Sequence, residues 1–290
     1  MDTSGKETLD NVLFIQLYLP TAHFRIPFTY QRRHTYPIPP YSTIIGFLCN
    51  LLGVNDRNKK FNDNNLSNAN IYDELKKMKI SISGNFESKI TEMIWFRNLS
   101  VKNHESRFGS IHNRYVNGHI EHIGGQSPVY LDTLNNFTLN LHFYHKNKDV
   151  LNYIEQNIKN PQGKLEPLHI GRAEDIFIIQ KLEFVSCQWK RSDGNYKNFF
   201  WIPKHIYIPN EKQNPFDTIE GLRFNLTTFW DVADYETTQN RHGTRIFQYL
   251  STKLSDGILT NTEFWRDPCH HLPVFPADFE KNNQIQNNQQ

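Results

Sequence analysis

Cysteine is scarce. Cys49, Cys187 and Cys269 are the only three in 290 residues, and no two form a C-x-x-C pair. This argues against a disulfide-built scaffold or a paired-thiol metal site and fits a reducing compartment. No apolar run approaches the ~20 residues that a membrane-spanning helix needs. The opening Met1-Asp-Thr-Ser-Gly-Lys-Glu-Thr8 is polar, without the apolar segment of a secretory signal. The expectation is a soluble, cytoplasmic protein with no membrane partner. An excess of one charge is also missing: 32 basic residues stand against 30 acidic ones, for a net +2. That balance excludes the simplest strongly basic nucleic-acid binder and leaves room only for a local basic face. Neither G-x-S-x-G nor H-E-x-x-H occurs, and Gly171-Arg172-Ala173-Glu174-Asp175 lacks the spacing of a phosphate-binding loop or a dinucleotide fingerprint. No cofactor and no catalytic residue are expected.

What is present is aromatic and β-rich. Hydrophobic residues make up 38% of the chain and aromatic residues 13%, enough to bury a core in which Phe and Tyr contribute much of the area. Val12–Leu19 reads as a first strand closed by Pro20. A helix over about 43–52 follows, with Ser42 as N-cap, Gly53 as its stop and an apolar surface nearly all the way round. A short helix is expected over 71–77, a strand over 78–83 from its two-residue alternation, and another over 90–99. Strand character returns at 129–144, with Leu139, Leu141 and Phe143 on one side. A helix over 149–158 ends at Asn160-Pro161. Residues 168–179 read as strand, Gly-marked kink and strand, continuing through Val185. Strand, helix, strand, strand, helix, strand is the order of a ferredoxin-like (RRM-like) domain, an open sheet that often serves as a platform for single-stranded RNA. The fold class is therefore α+β, with a smaller β-rich region after residue 185 and a disordered polar tail at 278–290.

The cationic residues cluster in two places. Arg25, Arg32, Arg33 and His34 are interleaved with Phe24, Phe28, Tyr30 and Tyr36. Guanidinium groups pair with phosphates and aromatic rings stack on bases, so this loop is a candidate nucleic-acid contact; a solvated loop with a few core aromatics is the competing reading. The second cluster is the polar stretch holding Arg107, His112, Arg114, Tyr115, His119, His122 and Gln126, read as a protruding hairpin. Its histidines lack the cysteine or carboxylate companions of a tetrahedral metal site, so no metal is expected. In Cys269-His270-His271 adjacent side chains of an extended segment point apart and cannot easily share one ion. Gly171 suits an unusual backbone angle, with Arg172 pairing to a local carboxylate.

Two segments carry a family resemblance. Phe24-Arg25-Ile26-Pro27, then Thr35-Tyr36-Pro37-Ile38-Pro39-Pro40-Tyr41-Ser42-Thr43-Ile44-Ile45-Gly46 and Leu51-Leu52-Gly53, resemble the N-terminal signature of the Cas5 family, closest to Cas5 of type I-B CRISPR effector complexes (Cascade). Leu168-His169-Ile170-Gly171-Arg172-Ala173-Glu174-Asp175 resembles a second landmark of that family. The resemblance implies a non-catalytic subunit of the antiviral ribonucleoprotein complex: an RRM-like domain over 1–185 with a thumb hairpin at about 102–127, and a β-rich region over 186–277. Such a subunit grips the 5′ handle of the crRNA, caps the row of Cas7 subunits and holds the large Cas8 subunit, with target DNA near its protospacer-adjacent motif as a further candidate partner. It makes Arg25, Arg32, Arg33, His34, Tyr36 and Arg172 candidates for RNA contact. Arg107, His112, Arg114, His119 and His122 become candidates for contact with RNA or the adjacent Cas7. Two rival readings remain: a metal-independent endoribonuclease that cuts repeat RNA, with His34 and Tyr36 supplying the proton transfers, and a protein-interaction module without RNA contact.

Overall fold

The computed structural model describes residues 7–98, 105–106, 109–110, 112, 115–117, 119–120, 125–209, 212–233 and 244–282. The chain opens with β1 (Thr8–Ala22), the two-residue β2 (Arg32–Arg33), α1 (Tyr41–Leu51) and α2 (Ile71–Lys77). It continues through β3 (Lys79–Asn85), β4 (Ser88–Asn98), the short pair β5 (Tyr115–Val116) and β6 (His119–Ile120), β7 (Gly125–Tyr144) and α3 (Lys148–Lys159). Then come β8 (Ile178–Asn195), β9 (Phe199–Pro203), α4 (Pro215–Thr218), β10 (Leu222–Ala233) and β11 (Thr244–Ser255). Finally come β12 (Ile258–Asp267), β13 (Leu272–Val274) and β14 (Ala277–Asp278).

All but β5 and β6 join one twelve-stranded sheet, whose main path runs β10-β11-β9-β3-β7-β1-β8-β12-β13. Its centre is β3-β7-β1-β8, with every neighbouring pair antiparallel. The expected division at residue 185 falls inside β8, and strands of the C-terminal third extend the sheet at both margins.

Strand alternation sorts β1 by face. Leu13, Ile15, Leu17 and Leu19 point to one side, opposite Leu139, Leu141 and Phe143 of β7, and all are fully buried. α1 and α3 cover this side with Ile44, Leu48, Leu51, Leu151 and Ile154, in one continuous core. Each such side chain contributes roughly 1.5–3 kcal/mol by leaving water.

The opposite face is polar but is not an open platform where the C-terminal strands cross it. Ser81, Ser83, Asn140 and His142 are all buried there. Phe275 N donates to Ser81 Oγ at 2.9 Å, and His142 Nε2 lies 3.1 Å from Asp267 Oδ2. His270 Nδ1 is 2.7 Å from the same oxygen, and its ring stacks on Phe14 at 3.9 Å between centroids. Burial pushes the Asp267 carboxyl up, but the two imidazoles outweigh it and hold the acid well below the usual carboxylate range. Cys269 and His271 stay exposed on either side of His270; the three lie in the turn between β12 and β13 and not in the extended segment expected, and His271 has a φ of +56°.

Four local expectations change. Ser42 is not the N-cap of α1: the helix starts at Tyr41 after Pro40, and the Ser42 hydroxyl meets Thr227 Oγ1 at 2.8 Å, tying α1 to β10. Pro20 does not close β1, because β8 has left the ladder beyond Tyr18 and β7 pairing carries on through Ala22. Residues 168–177 form no strand and fold instead around Asp175. Residues 278–282, expected in the disordered tail, belong to the fold, with Phe279 packed on Tyr41 and Phe229. Gly53, by contrast, ends α1 with a φ of +66°, the left-handed conformation glycine adopts without penalty. Burial also pushes the Cys49 thiol up to about 11, so it behaves as a small hydrophobe.

Desolvation lowers the pKa of His23, His142, His145 and His205 in the folded chain. The unfolded chain therefore binds more protons as pH falls through about 6.5, and each of these histidines withdraws stability in that window. The thermal midpoint followed by circular dichroism is expected to drop steadily from pH 7.5 to pH 5.5. An unchanged midpoint would contradict their burial in the neutral form.

Candidate nucleic-acid interface

β1 ends at Ala22 and feeds directly into the loop that precedes α1. The loop is pinched at its base: Tyr36 N donates to Phe24 O at 2.8 Å, and Ile26 N to His34 O at 2.9 Å. Pro37, Pro39 and Pro40 then set the approach to the helix, with Trp201 Nε1 donating to Pro39 O at 2.9 Å. Beyond the pinch the chain bulges outward. Phe28 at its tip is 86% exposed and carries a φ of +61°. A bulky side chain in the left-handed region is strained, and such strain gathers at functional positions.

The basic cluster is divided by the pleat. β2 runs parallel to β7, with Arg32 beside Tyr130 and Arg33 beside Leu131. Arg32 and His34 therefore share one face and close on Asp132, whose side chain is buried. Arg32 Nε donates to Asp132 Oδ1 at 3.0 Å, and His34 Nδ1 lies 3.0 Å from Oδ2. Thr91 Oγ1, on β4, donates to Oδ1 at 2.9 Å. Burial pushes this carboxyl up, but the bonds from His34, Thr91 and Arg32 prevail and lower its pKa. Arg33 goes to the other face, its guanidinium 4.0 Å above the Phe96 ring on β4, within cation–π range. Desolvation and nearby Arg25 both lower the Arg33 pKa, since each disfavours an added positive charge.

A second carboxylate pins the loop to the segment before β8. Asp175 is fully buried. Its oxygens accept from His23 N at 3.1 Å, Arg172 N at 2.8 Å and Arg172 Nη2 at 2.7 Å. Gly171 makes this possible: its φ is +107°, and a Cβ there would lie 2.8 Å from both Asp175 Oδ2 and His23 O. The anticipated pairing of Arg172 with a local carboxylate is thus present. Above the clasp, His23 Nδ1 sits 2.7 Å from the carbonyl oxygen of Asp132. Desolvation is the main reason its pKa is lowered, and the Arg172 and Arg25 charges add to it.

These segments enclose a cleft of about 920 Å³. Its walls include His23, Arg25, Phe28 and Arg33 from the loop, Ile94 and Phe96 from β4, Arg172 and Glu174 from the clasp, and Phe247 and Tyr249 from β11. Arg25 Nη2 reaches only the Thr29 carbonyl, at 3.3 Å, and neither Arg25 nor Arg33 has a carboxylate partner among the described residues. The site offers two uncompensated guanidiniums and an exposed ring at the mouth of an apolar cavity, a combination suited to a phosphodiester with an unstacked base.

Arg25, Arg33 and Arg172 thus meet at one cleft, whereas Arg32 and His34 lie on the opposite face. Tyr36 lines the same cleft but is largely buried, edge to face, against Trp201 and Phe224, which leaves its ring little surface for a base to stack on. His112 is exposed, and His119 pairs with Val116 in the β5–β6 ribbon. Arg107, Arg114 and His122 lie outside the described residues. Sequence reasoning missed His23, Phe96, Asp132, Asp175, Phe247 and Tyr249 as parts of the site. Only Asp175 had a local signal, three residues after Arg172.

The molecule is, then, an α+β sheet protein whose loop-to-helix junction builds a cationic, aromatic-walled cleft. A sequence model described as CRISPR-associated protein (Cas_Cas5) matches residues 12–260, and the chain belongs to this family. No curated protein matches the sequence. Among solved structures, one titled "CRISPR RNA-guided surveillance complex" aligns at 11% identity and a TM-score of 0.48, covering 96% of this chain and all of the other. "Crystal structure of Cas protein" aligns at 11% and 0.39, over 92% and 99% of the two chains. A CRISPR protein from Archaeoglobus fulgidus aligns at 10% and 0.34, over 86% of each. Family membership rests on the sequence match; overlaps this loose add nothing to it.

Gly171→Ala tests the clasp. Forcing a Cβ into a positive-φ position between two oxygen atoms is expected to cost at least ~1–2 kcal/mol. The urea midpoint reads this directly, and an unshifted midpoint would contradict the geometry around Asp175.

Proposed function

We propose that this chain is a non-catalytic Cas5 subunit of a type I-B CRISPR effector complex and binds the 5′ handle of the crRNA in the cleft between the 23–36 loop, β4 and β11. The observation that carries the reading is the meeting of both family landmarks at one cavity, with Arg25 and Arg33 uncompensated and Phe28 exposed at its rim. A single-stranded handle suits such a site: phosphate contacts set its register, and stacking and base-edge bonds read its bases. The order β3-β7-β1-β8, with α1 and α3 on one face, supports a ferredoxin-like reading of residues 1–185. The long β4–β7 hairpin, paired from Ser88–Asn135 to Asn98–Gly125, supports a thumb that is broader than 102–127. Exposed Met93, Trp95 and Tyr130 on that arm favour a protein neighbour there. In the assembly this subunit caps the Cas7 row and docks Cas8 near the point where target DNA is first met, in the cytoplasm. The β-rich region over 186–277 walls the cleft through β10 and β11.

Binding of the full chain to fluorescein-labelled crRNA handle, followed by anisotropy against salt, tests the reading. Arg25→Ala and Arg33→Ala are each expected to weaken binding about tenfold and to lower the salt slope by about 0.7. Arg32→Ala, compensated by Asp132, is expected to stay within about twofold. Equal losses at Arg32 and Arg33 would remove the cleft from the site. Repeat RNA incubated with the protein in EDTA is expected to remain intact, and sequence-specific cutting would replace the non-catalytic reading with the endoribonuclease one.

A further inference from the structure

His23 stands apart from the other groups of the cleft. It is 95% buried, borders the cavity, and its Nε2 has no hydrogen-bond partner among the described residues. Its tautomer follows from its other nitrogen. Nδ1 lies 2.7 Å from the carbonyl oxygen of Asp132, an acceptor only, so the proton sits on Nδ1 and Nε2 carries a lone pair. The ring cannot easily turn away, because Asp175 holds the His23 amide and the Asp132 carbonyl holds Nδ1. Arg33 lines the same cavity, and its Nε is likewise buried without a hydrogen-bond partner among the described residues. A buried donor and a buried acceptor on two residues that line one cavity, both unpaired among the described residues, are costly in the empty protein, and a ligand that reaches and satisfies them recovers that cost.

We propose that His23 is a specificity-determining residue of the cleft, accepting through Nε2 a hydrogen bond from one nucleotide of a single-stranded RNA whose neighbouring acceptor takes Arg33 Nε. This rests on the RNA-binding reading above and deepens it. A nucleotide supplies the required donor in one of two ways, a base N–H or the ribose 2′-hydroxyl, and each carries an acceptor close by. The neutral ring suits the role, since desolvation and the Arg172 and Arg25 charges oppose its protonation. An apolar cavity also penalises a ligand lacking the donor, because Nε2 then stays buried and unpaired.

The test uses the full-length chain, anisotropy titration and labelled RNA octamers of adenosine, cytidine or uridine. Wild-type protein is expected to lose about tenfold, or 1.4 kcal/mol, in affinity for at least one octamer when its donor is removed. N6,N6-dimethyladenosine, N4,N4-dimethylcytidine and 3-methyluridine remove the base donor, and 2′-deoxy octamers remove the hydroxyl. Whichever arm responds identifies the source of the bond. His23→Asn keeps an amide N–H for the Asp132 carbonyl but has no acceptor at the Nε2 position. It is expected to bind the unmodified octamer about tenfold more weakly than wild type and to be indifferent to the modification. Should this variant fold poorly, the modified octamers on wild-type protein decide alone. Equal binding of modified and unmodified octamers by wild type, or a His23→Asn variant that keeps wild-type affinity and preference, overturns the proposal and leaves the RNA-binding reading standing. Failure of wild type to bind any octamer or the crRNA handle overturns both.

Discussion

The buried carboxylate of Asp175 holds the cleft together. It collects backbone and side-chain donors from two segments about 150 residues apart, His23 and Thr21 on one side and Arg172 on the other. A charge this deep is tolerable only when paired and fully hydrogen-bonded, so the segments that supply its donors are fixed together. Gly171 is the backbone condition for the contact, since a side chain there would strike the carboxylate itself. Once those segments are locked, the loop after β1 has one direction in which to leave the sheet. Arg25 and Phe28 inherit that direction.

Asp132 performs the complementary task on β7. Its side chain draws Arg32 and His34 to one face, while its carbonyl orients the His23 ring toward the other. The pleat sends Arg33 into the cleft, where its guanidinium rests on Phe96. A run of consecutive cations is thereby separated into a group that secures the hairpin and a group left over for a ligand. Near-neutral overall charge is compatible with nucleic-acid contact under these terms, because only the uncompensated cations count at the binding surface.

The C-terminal third covers one face of the sheet. Open four-stranded sheets of this order commonly offer a face to RNA, but here residues from β12 onward settle on that face and bury Ser81, Ser83, Asn140 and His142. The Asp267 cluster, with His142 and His270, makes the cover specific as well as apolar. The cationic cleft lies elsewhere, walled by β4, β11 and the 23–36 loop.

Much of this was legible in the chain alone. The two-residue alternation of β1 and β7, the apolar α1 with Gly53 at its end, and the special backbone at Gly171 follow from rules that act over a few residues. The two landmark segments and the candidacy of Arg25 and Arg33 were visible in the same way. Partnership was not. Whether Arg32 faces a phosphate or Asp132, 100 residues on, depends on which strands pair and in what register, and no local pattern encodes that. The burial of Tyr36 under Trp201, the diversion of Ser42 to Thr227 and the lone pair left on His23 have the same origin. Sequence determined which side chains are able to bind an anion or an unstacked base; tertiary structure decided which of them remain uncompensated, because compensation is a property of neighbours brought together only by the fold.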